Sequence, residues 1–203
     1  MKYIWLLDAG HGGLDPDTGE YVTAGKRSPK WDNGTQYFEG VGNRDIVNKI
    51  LNRCLNEGIL AIDIVNSWQD VSLTTRVNRA NAIYEYNKNC IYVSVHSNGF
   101  TQESAHGYSV YTSPGQTASD KYAEILLEQM IKEFPDHKLR KDTRDGDMDK
   151  ESAFYVLRKT RMPALLSENF FMTNRKECDL LLTEKFRDRI ADCHFKMIKK
   201  IET

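Results

Sequence analysis

Three ionisable side chains, His11, His96 and Glu168, each stand just after a short apolar run of the sequence. The runs are YIWLL, CIYVSV and ALLS. Two histidines and a carboxylate that leave a fourth position open are the usual ligands of a catalytic zinc ion. A further carboxylate can act as the general base of metal-assisted hydrolysis. These residue types therefore indicate a metal-dependent hydrolase if the fold brings them together.

The apolar runs are too short for helices and are typical of buried strands. They alternate with amphipathic segments, which favours an α/β fold with a mainly parallel sheet and helices on both faces. The ends of parallel strands lie along one edge of a sheet, so we expect His11, His96 and Glu168 to converge there. Glu39, at the start of the first predicted helix, can join the same edge. The spacing alone leaves a purely structural role open for all four residues.

The same periodicity predicts the remaining elements. Further strands are predicted over residues 59–65 and 107–112. Helices are predicted over residues 39–57, 72–86, 119–134, 175–182 and 183–201. Residues 139–150 are charged and irregular, and residues 152–160 fit either a helix or a short strand followed by a turn. Because no repeat or linker interrupts the pattern, residues 1–203 are predicted to form a single domain.

A polar segment over residues 14–38 separates the first strand from the first helix. It contains the turn pairs Asp-Pro, Thr-Gly, Ala-Gly, Ser-Pro and Asn-Gly. A loop of this length in a compact domain is usually functional or mobile. Trp31 and Tyr37 are predicted to be exposed in this loop, where they either stack on a ligand or pin the loop to the domain.

Composition excludes several function classes. The chain has 203 residues and a formal net charge of −1, so no overall field attracts nucleic acid or an anionic membrane. No segment approaches the roughly 20 apolar residues that span a bilayer. The N-terminal apolar run is shorter than that of a secretory signal, and no small-residue cleavage site follows it. The chain is therefore predicted either to begin in the cytoplasm or to be a mature or trimmed form.

The other residues with reactive side chains are predicted to be structural. The cysteines lack the close spacing of a structural zinc site and are predicted to be buried or free thiols. They are Cys54, Cys90, Cys178 and Cys193. His106, His137 and His194 do not follow strands, and we interpret them as surface or helix residues.

Five motifs occur along the chain in a characteristic order. They are D-A-G-H-G-G around His11, Glu39 opening a helix with Asn43 four residues on, R-x-x-x-A-N from Arg76, S-V-H-S-N around His96, and L-S-E-N-F-F around Glu168. Each motif alone is weak. In combination, and over essentially the whole chain, the sequence resembles the zinc-dependent N-acetylmuramoyl-L-alanine amidases of the amidase-3 family.

The resemblance implies a peptidoglycan hydrolase with one Zn²⁺ per chain. By motif match, His11, Glu39 and His96 bind the zinc ion and Glu168 is the catalytic carboxylate. The implied reaction is hydrolysis of the amide bond between N-acetylmuramic acid and L-alanine. The implied fold is one α/β domain with a mixed central sheet. The implied partner is peptidoglycan, and we expect a monomer that acts at the cell envelope as an autolysin or a phage-type endolysin.

Two other classes of function stay open on the sequence. One is a different zinc hydrolase that acts on cell-wall peptide or acyl bonds. The other is a non-catalytic peptidoglycan-binding module on the same fold. The second is disfavoured because all four chemical positions are filled, whereas a degenerate copy is expected to lose one.

Two further residues are candidates for supporting roles. Arg76 resembles a buried arginine of the family, and we expect it to pair with Asp8 or Asp63; donation to the oxyanion is an alternative. Asn98 either orients the neighbouring His96 or donates to substrate. A simple strand-end cap is an equally good interpretation of Asn98.

The sequence departs from the family pattern at three places. Ala9 replaces the usual proline, which changes the stiffness of the loop rather than its chemistry. Phe170 replaces a glycine, so the local backbone or the pocket floor is expected to differ. The segment between His11 and Glu39 is longer than usual, and Glu20 within it is an alternative third ligand. We prefer Glu39 because a helix with asparagine at the fourth following position begins there.

This choice predicts different outcomes for two matched substitutions. Glu39→Gln is expected to lose both bound zinc and hydrolysis, because removing one of three protein ligands cripples a site whose fourth ligand is water. Glu20→Gln is expected to keep both. Metal analysis of the purified variants and digestion of purified sacculi provide the two measurements. The opposite pattern would assign the third ligand to the long loop.

Overall fold

The computed structural model describes residues 2–144 and 146–203. Six strands and six helices are present in that part of the chain. The strands are β1 (Ile4–Ala9), β2 (Ala61–Asp63), β3 (Cys90–Asn98), β4 (Ser109–Thr112), β5 (Lys150–Glu151) and β6 (Ala164–Phe171). The helices are α1 (Glu39–Asn56), α2 (Leu73–Tyr86), α3 (Asp120–Glu133), α4 (Tyr155–Lys159), α5 (Arg175–Leu181) and α6 (Glu184–Glu202).

All six strands form one sheet in the order β2-β1-β3-β6-β4-β5. The first four strands of this order run parallel to one another. Strand β4 runs antiparallel to β6, and β5 runs parallel to β4. The predicted α/β fold with a mainly parallel, mixed sheet is therefore confirmed.

Alternating side chains of the strands build two apolar layers. Trp5 and Leu7 of β1 pack on the face covered by α1, α3, α5 and α6. Leu6, between them, packs on the opposite face with side chains from α2 and α4. The strands read as nearly continuous apolar runs because both faces of the sheet are buried, as expected for parallel strands. The predicted helices on both faces are confirmed.

Two strands extend further than their apolar runs. Strand β3 includes His96 and Asn98, and β6 includes Glu168 and two residues beyond Asn169. The strands predicted to end in His96 and Glu168 continue two and three residues further, so both side chains lie near the C-terminal ends of their strands. Polar residues continue these strands because they still pair with neighbours and their side chains face a cleft.

The polar segment over residues 14–38 holds no helix or strand among the described residues. Its regular pairing is limited to two isolated bridges, Leu14 to Tyr21 and Arg27 to Phe38. Tyr37 is only 3% exposed, and its hydroxyl lies 3.2 Å from Oγ of Ser97. The expectation that Tyr37 is exposed was wrong, because the aromatic ring joins the core against α1.

Other local expectations are resolved by the structure. Residues 152–160 contain the short helix α4, and the brief strand β5 precedes them. All four cysteines are buried and free. His194 lies in α6 but is fully buried, and it lies 2.9 Å from Oγ of Ser167. None of the helices in the described part of the chain is long and apolar enough to cross a membrane.

Strand β6 contains a bulge directly after the catalytic candidate. His96 pairs with Glu168, whereas Asn98 pairs with Phe171, so β6 carries one extra residue between these pairs. Phe170 in this stretch has a φ of 64°, in the left-handed region that glycine favours. Its ring is fully buried among other aromatic side chains. These are Tyr108, Phe134, His137 and Phe186.

The backbone at this bulge therefore has the conformation of a glycine although the residue is phenylalanine. A left-handed φ costs a non-glycine residue about 1–2 kcal/mol. Burial of a whole phenylalanine side chain contributes about 3–5 kcal/mol, judged from substitution by alanine. The aromatic burial thus outweighs the backbone strain, which is how this chain accommodates its departure from the family pattern.

This balance predicts that glycine is more stable than alanine at residue 170, the reverse of the order expected in an ordinary strand. Phe170→Ala and Phe170→Gly both lose the buried ring and are expected to lower the free energy of unfolding by about 2–5 kcal/mol. The glycine variant is expected to be the more stable by about 1 kcal/mol, because glycine adopts a positive φ without strain. Denaturant unfolding measures both. In an ordinary strand position alanine would be the more stable, and that order would contradict the strain argument.

Candidate metal site and catalytic cleft

His11, Glu39 and His96 come together at one point. Oε1 of Glu39 lies 3.3 Å from Nε2 of His11 and 3.1 Å from Nδ1 of His96. The two imidazole rings meet edge to face, with centroids 5.0 Å apart. One ligand atom from each residue lies within 4.8 Å of the other two. Glu20, the alternative from the sequence, is exposed and is not part of this group.

Glycine and a left-handed turn bring the two histidines this close. A Cβ atom at residue 10 would lie 2.2 Å from Cε1 of His96, so any side chain there would displace the imidazole. His11 has a φ of 66°, which turns the chain sharply after β1. The sequence showed glycines at this turn, but only the structure shows that Gly10 makes room for His96.

The side chain of Arg76 holds the turn after β1 in place through hydrogen bonds. Its Nη1 donates to Oδ1 of Asp8 at 2.5 Å and to the carbonyl of Ala9 at 2.6 Å. Its Nη2 donates to the carbonyl of His11 at 3.1 Å. The predicted pairing with Asp8 is present, and the alternative partner Asp63 does not pair with it. Because protein groups use its N–H donors, Arg76 positions the His11 backbone.

Asp8 is the buried anion of this arrangement. Burial raises its pKa, but the adjacent Arg76 guanidinium and a hydrogen bond from Ser94 outweigh burial and lower the pKa below its usual value. Oγ of Ser94 donates to Oδ2 of Asp8 at 2.6 Å. The Arg76–Asp8 pair is almost completely buried, and losing one partner of such a pair costs about 3–5 kcal/mol.

Glu39 lies in the first turn of α1 and is 2% exposed. Burial raises its pKa, but hydrogen bonds from His11 and His96 outweigh that effect and lower it. Oε1 also accepts from the main-chain N–H of Ser97 at 3.3 Å and from the Asn43 amide at 3.5 Å. A buried carboxylate facing two imidazole nitrogens is a donor set that suits zinc. These residues therefore fit a metal ion chemically.

Glu168 stands beside this group without belonging to it. It pairs with His96 across β3 and β6, and both side chains project to the same face of the sheet. Its Oε2 is buried and has no hydrogen-bond partner among the described residues. Burial raises the pKa of Glu168 to about 7; the charge of Glu39 adds to this, while His96 and Lys26 oppose it. A carboxyl group with such a pKa can both accept and release a proton near neutrality.

Two clefts meet at this point. The larger, of about 580 Å³, runs between α2 and α4, and the smaller, of about 370 Å³, runs past the end of β3. Both are lined by His11, Lys26, His96 and Glu168. The larger cleft also has apolar side chains of Val71, Leu73, Phe154 and Tyr155. An extended substrate can therefore pass on both sides of the candidate metal site.

The structure assigns different positions to the remaining polar residues near the site. Asn98 lines the smaller cleft, and its side chain accepts from the N–H of Gly99 instead of contacting His96. Ser97, its neighbour, contacts Glu39 through its main chain. Lys26 was missed by sequence reasoning, because a lysine in a turn-rich loop carries no spacing signal. Only the path of the loop over the sheet edge brings Lys26 to both clefts.

Comparisons with known proteins agree with this architecture. The sequence profile of the Amidase_3 family, described as N-acetylmuramoyl-L-alanine amidase, matches residues 6–200. The chain is 32% identical over 193 residues to the N-acetylmuramoyl-L-alanine amidase CwlM of Bacillus licheniformis, covering 93% of this chain and 64% of CwlM. It is 27% identical to the endolysin of Bacillus phage SPP1, covering 98% of this chain and 66% of the endolysin. The chain thus spans just under two thirds of the length of these relatives.

Solved structures show the same fold. An N-acetylmuramoyl-L-alanine amidase from Clostridium difficile 630 superposes with a TM-score of 0.77 at 23% identity, covering 98% of this chain and 96% of that one. The amidase Ami1 from Mycobacterium smegmatis gives a TM-score of 0.76 at 20% identity, covering 98% and 95%. Since the family profile spans nearly the whole chain, this protein belongs to the Amidase_3 family of N-acetylmuramoyl-L-alanine amidases.

Proposed function

We propose that this protein is a zinc-dependent amidase that hydrolyses the bond between N-acetylmuramic acid and L-alanine in peptidoglycan. The observation that carries the proposal is the group of His11, Glu39 and His96 with Glu168 beside it, at the junction of two clefts. Family membership supports the same reaction.

His11, Glu39 and His96 hold one Zn²⁺ in this proposal. When bound, zinc supplies Lewis-acid activation of the amide carbonyl and of the attacking water. Glu168 accepts a proton from that water and returns it to the leaving amine of L-alanine. Its partly desolvated carboxylate and raised pKa suit it to both transfers.

The other residues prepare these steps. Arg76 and Asp8 hold the turn that carries His11. Asn43 and Ser97 donate to Glu39 and orient its carboxylate. Asn98 and Lys26 line the path of the substrate, where their polar groups can contact the glycan or the stem peptide.

The proposed place of action is the cell envelope, with peptidoglycan as the partner. Relatives are named both as a bacterial amidase and as a phage endolysin, so both settings are consistent with the chain. We further propose that the catalytic unit acts as a monomer, because both clefts are formed by one chain.

The roles of Glu168 and the metal ligands predict different phenotypes. Glu168→Gln is expected to fold, bind one zinc ion and bind peptidoglycan, with hydrolysis lowered by about 10²–10⁴-fold, because it removes only the general base. Zinc analysis, sacculus pull-down and release of new amines measure these properties. Glu103→Gln, at an exposed glutamate, is the matched control. Loss of zinc from Glu168→Gln would make Glu168 a ligand, and full activity would place the base elsewhere.

Removal of a ligand predicts the complementary phenotype. His96→Ala is expected to lose stoichiometric zinc, since a site of three protein ligands depends on each of them. The wild-type protein is expected to lose activity on treatment with a chelator and to regain it with added zinc. A full zinc content in the His96→Ala protein would count against the assigned ligands.

Product analysis separates the proposed amidase from other classes. The amidase releases the lactyl carboxylate of the sugar and the amine of L-alanine, whereas a peptidase or deacetylase releases other groups. If zinc-loaded protein bound sacculi but released no new amine from any peptidoglycan type, the binding-module interpretation would replace the enzymatic one.

A further inference from the structure

A second group of acidic side chains lies on the opposite side of strand β4 from the candidate active site. Glu124 of α3 and Asp147 and Asp149, just before β5, each place one carboxylate oxygen within 4.8 Å of the other two. The group includes no residue of the His11–Glu39–His96 site. Its members come from two segments that are distant in sequence, so the fold brings three negative charges together.

The most buried of these carboxylates is not satisfied by the protein. Asp149 is only 2% exposed. Its Oδ2 accepts from Oγ1 of Thr112 at 2.7 Å, but its Oδ1 is buried and has no hydrogen-bond partner among the described residues. Oδ1 of Asp147 is likewise buried and unpartnered. A buried polar atom without a partner is costly, so two such oxygens in one acidic group point to a bound positive charge.

None of the ion pairs between described residues involves Glu124, Asp147 or Asp149. The ionisable neighbours that affect Asp149 are themselves acidic. Burial, the charge of Asp147, a close side-chain contact with Asp147 and the charge of Asp120 raise the pKa of Asp149 to about 7, against the hydrogen bond from Thr112. The group therefore either shares a proton or holds a cation.

We propose that Glu124, Asp147 and Asp149 form a calcium site that is separate from the catalytic centre. Hard carboxylate oxygens without nitrogen or sulfur ligands are the donors that Ca²⁺ prefers. Ca²⁺ binds oxygens at about 2.3–2.6 Å, so two ligands can lie up to about 5 Å apart, and the observed spread fits that span. Since Ca²⁺ takes 6–8 oxygen ligands, waters or main-chain carbonyls would have to supply the others.

The place of this site in the fold suggests what the ion does. The main-chain N–H of Met148 already donates to Oε1 of Glu124 at 2.6 Å, and Asp149 directly precedes β5. Phe154 and Tyr155, which line the larger cleft, follow within six residues. A cation bound by both α3 and the segment before β5 would hold this segment against α3. It would thereby stabilise the position of Phe154 and Tyr155 in the wall of the larger cleft.

The test is thermal unfolding of the 203-residue, zinc-loaded protein in calcium-free buffer and in 10 mM CaCl₂. This concentration is about 10–100 times the Kd of an extracellular-type calcium module. We expect a rise in Tm of roughly 4–8 °C, from the mass-action stabilisation of the folded state. Calorimetric titration with CaCl₂ is expected to give one site per chain.

Variants show where the calcium binds. Asp149→Asn and Glu124→Gln are expected to abolish the rise in Tm while remaining folded, because each removes one charged ligand and keeps its shape. Glu128→Gln, one turn further along α3 and paired with Lys200 at the surface, is the matched control and should keep the full rise. MgCl₂ at the same concentration is expected to raise the Tm less, because Mg²⁺ demands a tighter octahedral geometry.

Several outcomes would overturn the proposal. Absence of any rise with CaCl₂ would mean that Asp147 and Asp149 share a proton. An equal rise with MgCl₂, or a rise that persists in Asp149→Asn, would show general charge screening instead of a calcium site. None of these readouts depends on amidase activity, so a failure of the proposed function would not affect them.

Discussion

The buried negative charge of Glu39 is the constraint on which the rest of the site depends. A carboxylate with this little exposure must be compensated by donors or by a cation, because burying an isolated charge is very costly. Here the compensation comes from ring nitrogens of His11 and His96 and from the main chain at Ser97. The start of α1, the end of β3 and the turn after β1 must therefore meet at one point.

The buried ion pair of Arg76 and Asp8 fixes the position of the turn after β1, which carries His11 to this point. Arg76 reaches from α2 across the sheet edge to Asp8 and to two carbonyls of the turn that carries His11. Arginine is suited to this task because its planar group presents several donors in a fixed arrangement and remains charged when buried. The turn that carries His11 is thus held by a residue that is almost completely buried and bonded to the protein, at the border of the larger cleft.

The sheet supplies the remaining geometry through its pairing. His96 and Glu168 are direct neighbours across parallel strands, so the candidate ligand and the candidate base project to the same face. The bulge that follows reverses the side-chain alternation in β6 and sends Phe170 into the core. The backbone conformation at this position favours glycine. Phenylalanine is accommodated here because its ring packs with four other aromatic rings.

The sequence by itself determined the class of fold and the family, and it predicted the chemistry at the sheet edge. Apolar runs alternating with amphipathic segments predicted the α/β architecture, because burial on both faces of a parallel sheet leaves that pattern in the chain. The residue types at the strand ends predicted a metal-dependent hydrolase, and the order of the motifs indicated the family. Those patterns are local in the sequence, so they can be recognised without knowledge of the tertiary structure.

Only the tertiary structure decided which carboxylate lies beside the two histidines, where the long loop runs, and which polar residues line the clefts. The helix that begins at Glu39 favoured this residue over Glu20, but no sequence pattern specifies how far either carboxylate lies from His96. Tyr37 and Lys26 lie in the same loop, yet one is in the core and the other faces both clefts. The acidic group of Glu124, Asp147 and Asp149 likewise joins segments with no shared pattern. Such contacts depend on packing between distant parts of the chain, which no sequence period encodes.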